Sequence, residues 1–162
     1  MAGGRGAATL ERVSKEHTFP VSVHWVGGRL TRASADDAPE LQVATPPVFP
    51  GGVAGVWSPE ELLVAAAASC FVVTLAAVAE RRALPLRALD VRGVGRVGRR
   101  DDGRTGFTGV ELEAFLETDA GCEEAAEQAA RAAERRCLIA LALDVPVHVR
   151  VQVRVAQPLA AA

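Results

Sequence analysis

The strongest constraint in the sequence is a run of eighteen residues, 62–79, that contains no charged side chain. A run of this length can cross a membrane as a helix. Alanine holds seven of its positions, however, and Ser69 and Thr74 interrupt it, which is more typical of a helix buried inside a protein. A chain of 162 residues has little material to cover a helix on every side. The apolar run therefore indicates that a second subunit covers one face of the helix.

The start of this helix carries a capping motif. Ser58 is followed by Pro59 and, three positions after the serine, by Glu61. A serine at the N-cap, a proline at the first helical position and a glutamate at the third together form a capping box. Glu60 has no part in this box and is left free for another task.

Alternation of apolar and polar residues predicts strands on both sides of the helix. The strands predicted before it cover residues 21–25, 30–35 and 41–45, and those after it cover 86–97, 107–117 and 145–155. A second helix is predicted over about 121–142. The order β-β-β-α-β-β-α-β predicts an α+β fold in which two long helices lie against a largely antiparallel β-sheet.

Size and charge exclude several classes of protein. The length predicts a single domain over residues 1–162, of which 1–12 are expected to be flexible. The net charge is −2 and aromatic residues make up 4% of the chain. We therefore expect neither a nucleic-acid partner, which needs basic and stacking side chains, nor a membrane partner. The first residues lack the apolar core of a signal peptide, so a cytoplasmic protein is expected.

Three cysteines remain as candidates for chemistry: Cys70, Cys122 and Cys137. They include no CxxC pair and the histidines are scattered, so neither a disulfide framework nor a metal site nor a cofactor is expected. Cys70 and Cys137 could each be a small buried side chain, or could pair if their helices pack together. Cys122 lies about 22 Å from Cys137 along a straight helix and is expected to be structural.

Two segments resemble the OsmC/Ohr family, the osmotically induced protein C and organic hydroperoxide resistance proteins. They are SPEELL at 58–63 and ASCF at 68–71, followed by a second cysteine 67 residues after Cys70. A cysteine ten residues after the first glutamate is the most specific part of this pattern. The resemblance covers about residues 21–155. It implies an OsmC-like fold, an intertwined homodimer with active sites at the interface, and cysteine-dependent peroxidase activity.

The resemblance also implies roles for four residues. Cys70 matches the peroxidatic cysteine and Cys137 the resolving cysteine. Arg29 matches an arginine that activates the thiolate, and Arg32 is close enough in sequence to be the alternative. Glu60 matches a carboxylate that helps to arrange the site.

In the implied cycle, Cys70 attacks an organic hydroperoxide of the fatty-acid type, releases an alcohol and becomes a sulfenic acid. Cys137 then condenses with it to a disulfide. A dithiol reductant (a lipoyl protein, thioredoxin or a small thiol) reopens the disulfide by exchange. Cys70 is predicted to lie mid-helix, with no helix N-terminus near it, and burial raises the pKa of a thiol. We therefore expect a neighbouring cation such as arginine to be required.

Several alternatives remain at this point. Glu60 and Cys70 are about 15 Å apart on a straight helix, so either a long arginine bridges them, the helix start bends, or Glu60 comes from the partner subunit. Leu138 stands where family members often have a proline, and Ser58 where they often have an asparagine. The alternative function is a non-enzymatic OsmC-like module that binds an apolar ligand or senses redox state. The third possible function is that of a structural protein whose cysteines are inert.

Overall fold

The structure is a computed structural model that describes residues 16–157, so the segment 1–12 lies outside the described residues. It confirms the predicted α+β class. The elements in chain order are β1 (Val21–Gly27), β2 (Leu30–Ala35), β3 (Leu41–Ala44), α1 (Pro59–Arg81), β4 (Leu86–Arg99), β5 (Thr105–Thr118), α2 (Glu123–Glu134), α3 (Leu138–Ala142) and β6 (Val147–Val155).

The strands form two three-stranded sheets within the chain, β1–β2–β3 and β4–β5–β6, where one sheet was expected. The pairings β1–β2, β2–β3 and β4–β5 are antiparallel, as predicted. β5 and β6, by contrast, run parallel. The parallel pair follows from the connection, because α2 and α3 lie between these strands and carry the chain back to the starting end of the sheet.

The core lies between the second sheet and the helices. β5 is the central strand of that sheet, and its inward residues are almost fully buried. These residues are Val110, Leu112, Ala114 and Leu116, and they pack with Phe71, Leu75 and Val78 of α1 and Ala126, Ala129, Ala130 and Ala133 of α2. The alanines leave α2 without bulky side chains on its inner face, so it can approach α1 and the sheet closely. Each large side chain buried here contributes about 1.5–3 kcal/mol.

The helix α1 begins as the capping motif predicts. The Glu61 N–H donates to Ser58 Oγ at 3.1 Å, and the Ser58 N–H donates to the Glu61 carboxylate at 2.8 Å. Among the described residues α1 is the one helix long and apolar enough to cross a membrane, and 28% of its most apolar 18-residue window is buried. The chain by itself therefore does not bury α1 on every side. Val73, on its open face, is 64% exposed.

The first sheet has almost no core within the chain. Of its three strands, only Val43 and Ala44 are buried. The Ala44 N–H donates to the Trp57 carbonyl oxygen at 2.9 Å, which ties the sheet to the segment before α1. Large apolar side chains remain open on β1, namely Val21, Val23 and Trp25, which are 63%, 60% and 75% exposed. The first sheet thus presents apolar surface that nothing in this chain covers.

The predicted helix over 121–142 is in fact two helices. α2 ends at Glu134 and α3 begins at Leu138, and between them Cys137 is extended, with φ −68° and ψ 105°. The sequence does not signal this break, because residues 135–137 contain neither glycine nor proline. The break is decisive for the site, because it places Cys137 at the start of α3 rather than within a longer helix.

Candidate active site

The turn between α2 and α3 brings Cys137 against α1, where Cys70 lies. Cys137 is 1% exposed, whereas Cys70 is half-buried. The Cys137 thiol lies 3.8 Å from the carbonyl oxygen of Ala67, one turn before Cys70, and is also within hydrogen-bonding reach of the Cys70 sulfur. Its single proton serves one acceptor at a time, and a Cys70 thiolate is the stronger one. Both cysteines are free thiols.

The surroundings of Cys70 favour its thiolate. Partial burial raises the pKa of the Cys70 thiol, but hydrogen bonds to its sulfur outweigh this and bring the pKa below its usual value. The donors are the Ile139 N–H, the Cys137 thiol, the Thr74 hydroxyl and the Leu138 N–H. The first N–H groups of a helix have no acceptor within that helix. Those of α3 can therefore be used to hold the Cys70 sulfur.

The expectation that no helix N-terminus lies near Cys70 is therefore wrong, because α3 begins against it. That expectation assumed one helix over 121–142, in which the backbone of residues 138 and 139 would be bonded internally. No arginine within residues 16–157 is among the main causes of the shift in the Cys70 pKa. The role of an arginine at this thiolate remains a prediction.

Cys137 is shifted in the opposite direction. Burial raises the pKa of the Cys137 thiol, and the neighbouring Cys70 raises it further through its hydrogen bond and its charge. Since the thiolate is the nucleophile, the two sulfurs are not equivalent. Cys70 is the sulfur that ionises more readily, and Cys137 is the one that ionises less readily.

Glu60 lies at the other end of α1 and has an unusual environment. Its Oε2 atom is buried without a hydrogen-bond partner among the described residues. α1 runs without interruption from Pro59 to Arg81, so Glu60 and Cys70 remain about 15 Å apart along it. An unpaired buried carboxylate oxygen is costly. Glu60 is therefore a carboxylate for which the described chain provides no donor.

Arg29 lies in the turn between β1 and β2, in the first sheet. Its side chain packs on Gly51, where an added Cβ would lie 3.1 Å from the Arg29 Nε. Arg29 is exposed and forms no salt bridge within residues 16–157. The alternative, Arg32, forms an ion pair with Glu40 at 3.6 Å. Of the two arginines, Arg29 is the one with a free guanidinium.

An apolar groove of about 630 Å³ separates α1 from β4. Two glycines of β4 make room for the helix, since a Cβ on Gly93 or Gly95 would come within 2.7 Å of Val64. Glu60 is at one end of the groove, but Cys70 is not part of its lining and lies on another side of α1. Its apolar lining includes Trp57, Val64, Ala68, Val72, Val91 and Phe107.

The other polar candidates lie apart from the cysteine pair. Cys122 is half-buried beside the core at the start of α2 and forms no capping bond. His148 is exposed on the polar side of β6, as its alternation predicts. Among residues 16–157, no three His, Cys, Asp or Glu side chains are arranged to hold a metal ion.

Sequence reasoning missed three groups that contact Cys70. Thr74 could have been found, because it is the polar residue one turn after Cys70 in an otherwise apolar run. The N–H groups of Leu138 and Ile139 had no sequence signal, because they became donors only through the break before α3.

The comparisons with known proteins agree with this fold. The OsmC-like protein family matches residues 52–152, which is more than half of the chain and includes Glu60, Cys70 and Cys137 but not Arg29. No curated protein matches the chain significantly.

Solved structures match over nearly their whole length. An OsmC-like protein of unknown function from Vibrio cholerae is 19% identical, with a TM-score of 0.78 over 85% of this chain and 100% of that one. An organic hydroperoxide resistance protein from Elizabethkingia anophelis is 23% identical, with a TM-score of 0.70 over 88% and 99%. An organic hydroperoxide resistance protein OsmC from Legionella pneumophila is 25% identical, with a TM-score of 0.67 over 85% and 96%. The fold and the family match agree, and the chain belongs to the OsmC-like protein family.

Proposed function

We propose that this chain is a cysteine-based peroxidase that reduces organic, fatty-acid-type hydroperoxides to alcohols. The observation that carries the proposal is the Cys70–Cys137 pair, in which a thiolate-favouring sulfur and a protonated one meet from positions 67 residues apart. Such an asymmetric pair suits a nucleophile and a resolving thiol. Two structurally similar proteins are named organic hydroperoxide resistance proteins, which supports the substrate class.

The proposed cycle uses both sulfurs in turn. The Cys70 thiolate attacks the distal oxygen of the hydroperoxide, the O–O bond breaks, and the alkoxide takes a proton and leaves as an alcohol. The Cys137 thiol then attacks the sulfur of the Cys70 sulfenic acid, and a disulfide and water form. A dithiol restores both thiols and is itself oxidised to a disulfide. A cycle of this kind needs a reducing compartment, and the proposed location is the cytoplasm.

We propose further that the complete site needs two subunits. Three observations support a homodimer: the open apolar face of α1, the uncovered apolar side chains of β1, and the partnerless Oε2 of Glu60. Arg29, whose guanidinium is free in the described chain, is the proposed donor to Glu60 and activator of the thiolate. Since Glu60 and Cys70 of one chain are far apart on α1, we favour a Glu60 that serves the Cys70 of the partner subunit.

The test is the consumption of cumene hydroperoxide by the purified protein with dithiothreitol as reductant, beside hydrogen peroxide. Turnover is expected to be faster with the organic peroxide. Cys70→Ser should lower the rate by more than about a thousandfold, because it removes the nucleophile. Cys122→Ser, a matched cysteine substitution away from the pair, should keep it. Full turnover in Cys70→Ser would exclude the proposed mechanism.

One observation favours a second function, a module that binds an apolar ligand. The groove between α1 and β4 is large and mostly apolar, and Cys70 does not line it. In that case the protein would bind a fluorescent fatty acid, and Val64→Trp would block binding. If cumene hydroperoxide is not consumed and Cys70 stays unoxidised while the fatty acid binds, the binding module replaces the peroxidase.

A further inference from the structure

We infer that the dithiol that regenerates this protein attacks the sulfur of Cys70, so that the mixed disulfide forms on Cys70 and Cys137 is the leaving thiol. The inference rests on the proposed function, because it concerns the disulfide that the peroxidase cycle forms. It decides which face of the protein a reductant must reach.

Access to the two sulfurs differs strongly. In thiol–disulfide exchange the attacking sulfur approaches along the line of the disulfide bond, from the side opposite the leaving sulfur. An attack on Cys70 therefore comes from the side away from Cys137, and Cys70 is half-buried. An attack on Cys137 comes from the side away from Cys70. Cys137 is 1% exposed and belongs to the core cluster.

A narrow cleft does reach Cys137 from behind, and it is the rival route. Its volume is about 170 Å³, and its walls include Phe71, Leu112, Leu141 and Val147. The attacking species is a thiolate, and transfer of a charged group into apolar surroundings is costly unless polar partners meet it. The cleft lining also includes the carboxylate of Glu134, which repels an incoming thiolate. Backbone N–H groups act on both sulfurs, so they do not distinguish the two routes.

The leaving ability of the two thiols, by contrast, favours attack on Cys137. A thiol with a lower pKa leaves faster. The pKa of Cys70 is lowered and that of Cys137 is raised, so leaving ability alone would favour attack on Cys137. Access prevails, because a sulfur that is 1% exposed is reached too rarely for its better leaving group to decide the outcome.

The proposed exchange takes place in two steps. The reductant thiolate forms a bond to the Cys70 sulfur while the Cys70–Cys137 bond breaks, and Cys137 leaves with the electron pair and takes up a proton. The second thiolate of the reductant then attacks the reductant sulfur that is bound to Cys70. This forms the cyclic disulfide of the reductant and releases the Cys70 thiolate. Two electrons pass from the dithiol to the protein.

The experiment stops the exchange after its first step by using a monothiol. The full chain carrying Cys122→Ser is oxidised with diamide in one sample and with cumene hydroperoxide in another. Each is mixed briefly with glutathione, quenched with acid and alkylated with N-ethylmaleimide. Trypsin separates the two cysteines, because Arg81 and Arg136 lie between them, and mass spectrometry locates each modification. We expect glutathione on Cys70 and alkylation on Cys137 in at least about tenfold excess over the reverse.

Glutathione found mainly on Cys137, or equally on both, would overturn the inference, as would failure of diamide to form the Cys70–Cys137 disulfide. Leu141→Ala widens the rear cleft and serves as the second variant. The rate of disulfide reduction should stay within about twofold of the parent if the reductant attacks Cys70, and a large acceleration would point to the rear route. If diamide forms the disulfide and cumene hydroperoxide does not, the proposed function fails while the site of exchange is still determined.

Discussion

The two sheets of this chain have three strands each, but the apolar side chains of one are buried and those of the other are exposed. In the second sheet the inward residues of β5 are almost fully buried under α1 and α2. In the first sheet Val21, Val23 and Trp25 are all at least 60% exposed, and only the end of β3 is buried. Both sheets have apolar faces, so composition does not separate them. The difference lies in whether the same chain provides a cover.

The residues of the candidate site are likewise divided between the two sheets. Cys70, Cys137 and the groups that shift their pKa values all belong to α1, to α3 and to the turn before α3, so these shifts arise within one chain. Arg29 belongs to the first sheet. We therefore expect thiolate formation to be a property of one chain and arginine-assisted peroxide reduction to be a property of the assembly.

The largest expected difference between the two regions is in stability. Leu75→Ala removes a fully buried side chain of α1 and should lower the free energy of unfolding by about 3 kcal/mol, through lost burial and the cavity it leaves. Val23→Ala, in the first sheet, should lower the stability of the single chain by less than about 1 kcal/mol, and any further loss should depend on protein concentration, because it would come from the dimer. Urea unfolding followed by circular dichroism at two protein concentrations measures both. Equal losses that do not depend on concentration would mean that the first sheet is covered within the chain.

Self-association should be the next most sensitive property. Val73→Glu places a carboxylate on the open apolar face of α1 and should weaken the homodimer by about a hundredfold or more, because the charge must lose water on association. His148→Glu, on the exposed polar side of β6, is the matched control. Light scattering after size exclusion gives the mass of each variant. A dimer that survives Val73→Glu would place the interface elsewhere.

The alkylation rate of Cys70 tests whether the helices over the second sheet are enough to favour its thiolate. Leu138→Pro removes the N–H that donates to the sulfur, at a helix position where proline fits, and the extended Cys137 before it suits a following proline. The pKa of Cys70 should rise, so its alkylation by iodoacetamide at pH 7 should slow by about threefold, because one of several groups that lower this pKa is lost.

The pH dependence of Cys70 alkylation shows whether its pKa is lowered or raised. The pKa of Cys70 is lowered in the native protein, so its alkylation should reach a plateau at a lower pH than that of an ordinary cysteine. Leu138→Pro should move the plateau to higher pH, while Leu138→Ala, which keeps the N–H, should leave it in place. A profile shared by all three proteins would show that another group holds the thiolate.

The smallest expected difference concerns two backbone positions. Ala83, after α1, and Asp37, between β2 and β3, both have positive φ, of 51° and 60°. Ala83→Gly should raise the free energy of unfolding by about 0.5–1 kcal/mol, because glycine adopts this conformation without strain. Asp37→Gly should give less, because aspartate tolerates it better and the first sheet adds little to stability. Thermal unfolding midpoints would show the order, and a larger gain from Asp37→Gly would reverse it.

Local patterns were reliable wherever the determining interactions lie close together in the chain. The capping box at Ser58 and Glu61 depends on residues three apart, and the hairpin arms of β4 and β5 follow from alternation and an intervening turn. The break before α3 was not predictable, because residues 135–137 carry no helix-breaking residue. It depends on packing that places Cys137 against α1, and that contact spans about seventy residues of chain.

The amino-acid sequence alone is enough to predict the α+β class, the start of α1, and the two cysteines and one glutamate that mark the family pattern. These follow from short-range periodicity and from residue identity. Three properties depend on tertiary packing: Leu138 and Ile139 act on the Cys70 sulfur, Cys137 is almost fully buried, and the Oε2 atom of Glu60 has no partner among the described residues. Those properties depend on burial and on donor geometry, which are set by residues distant in sequence that pack together.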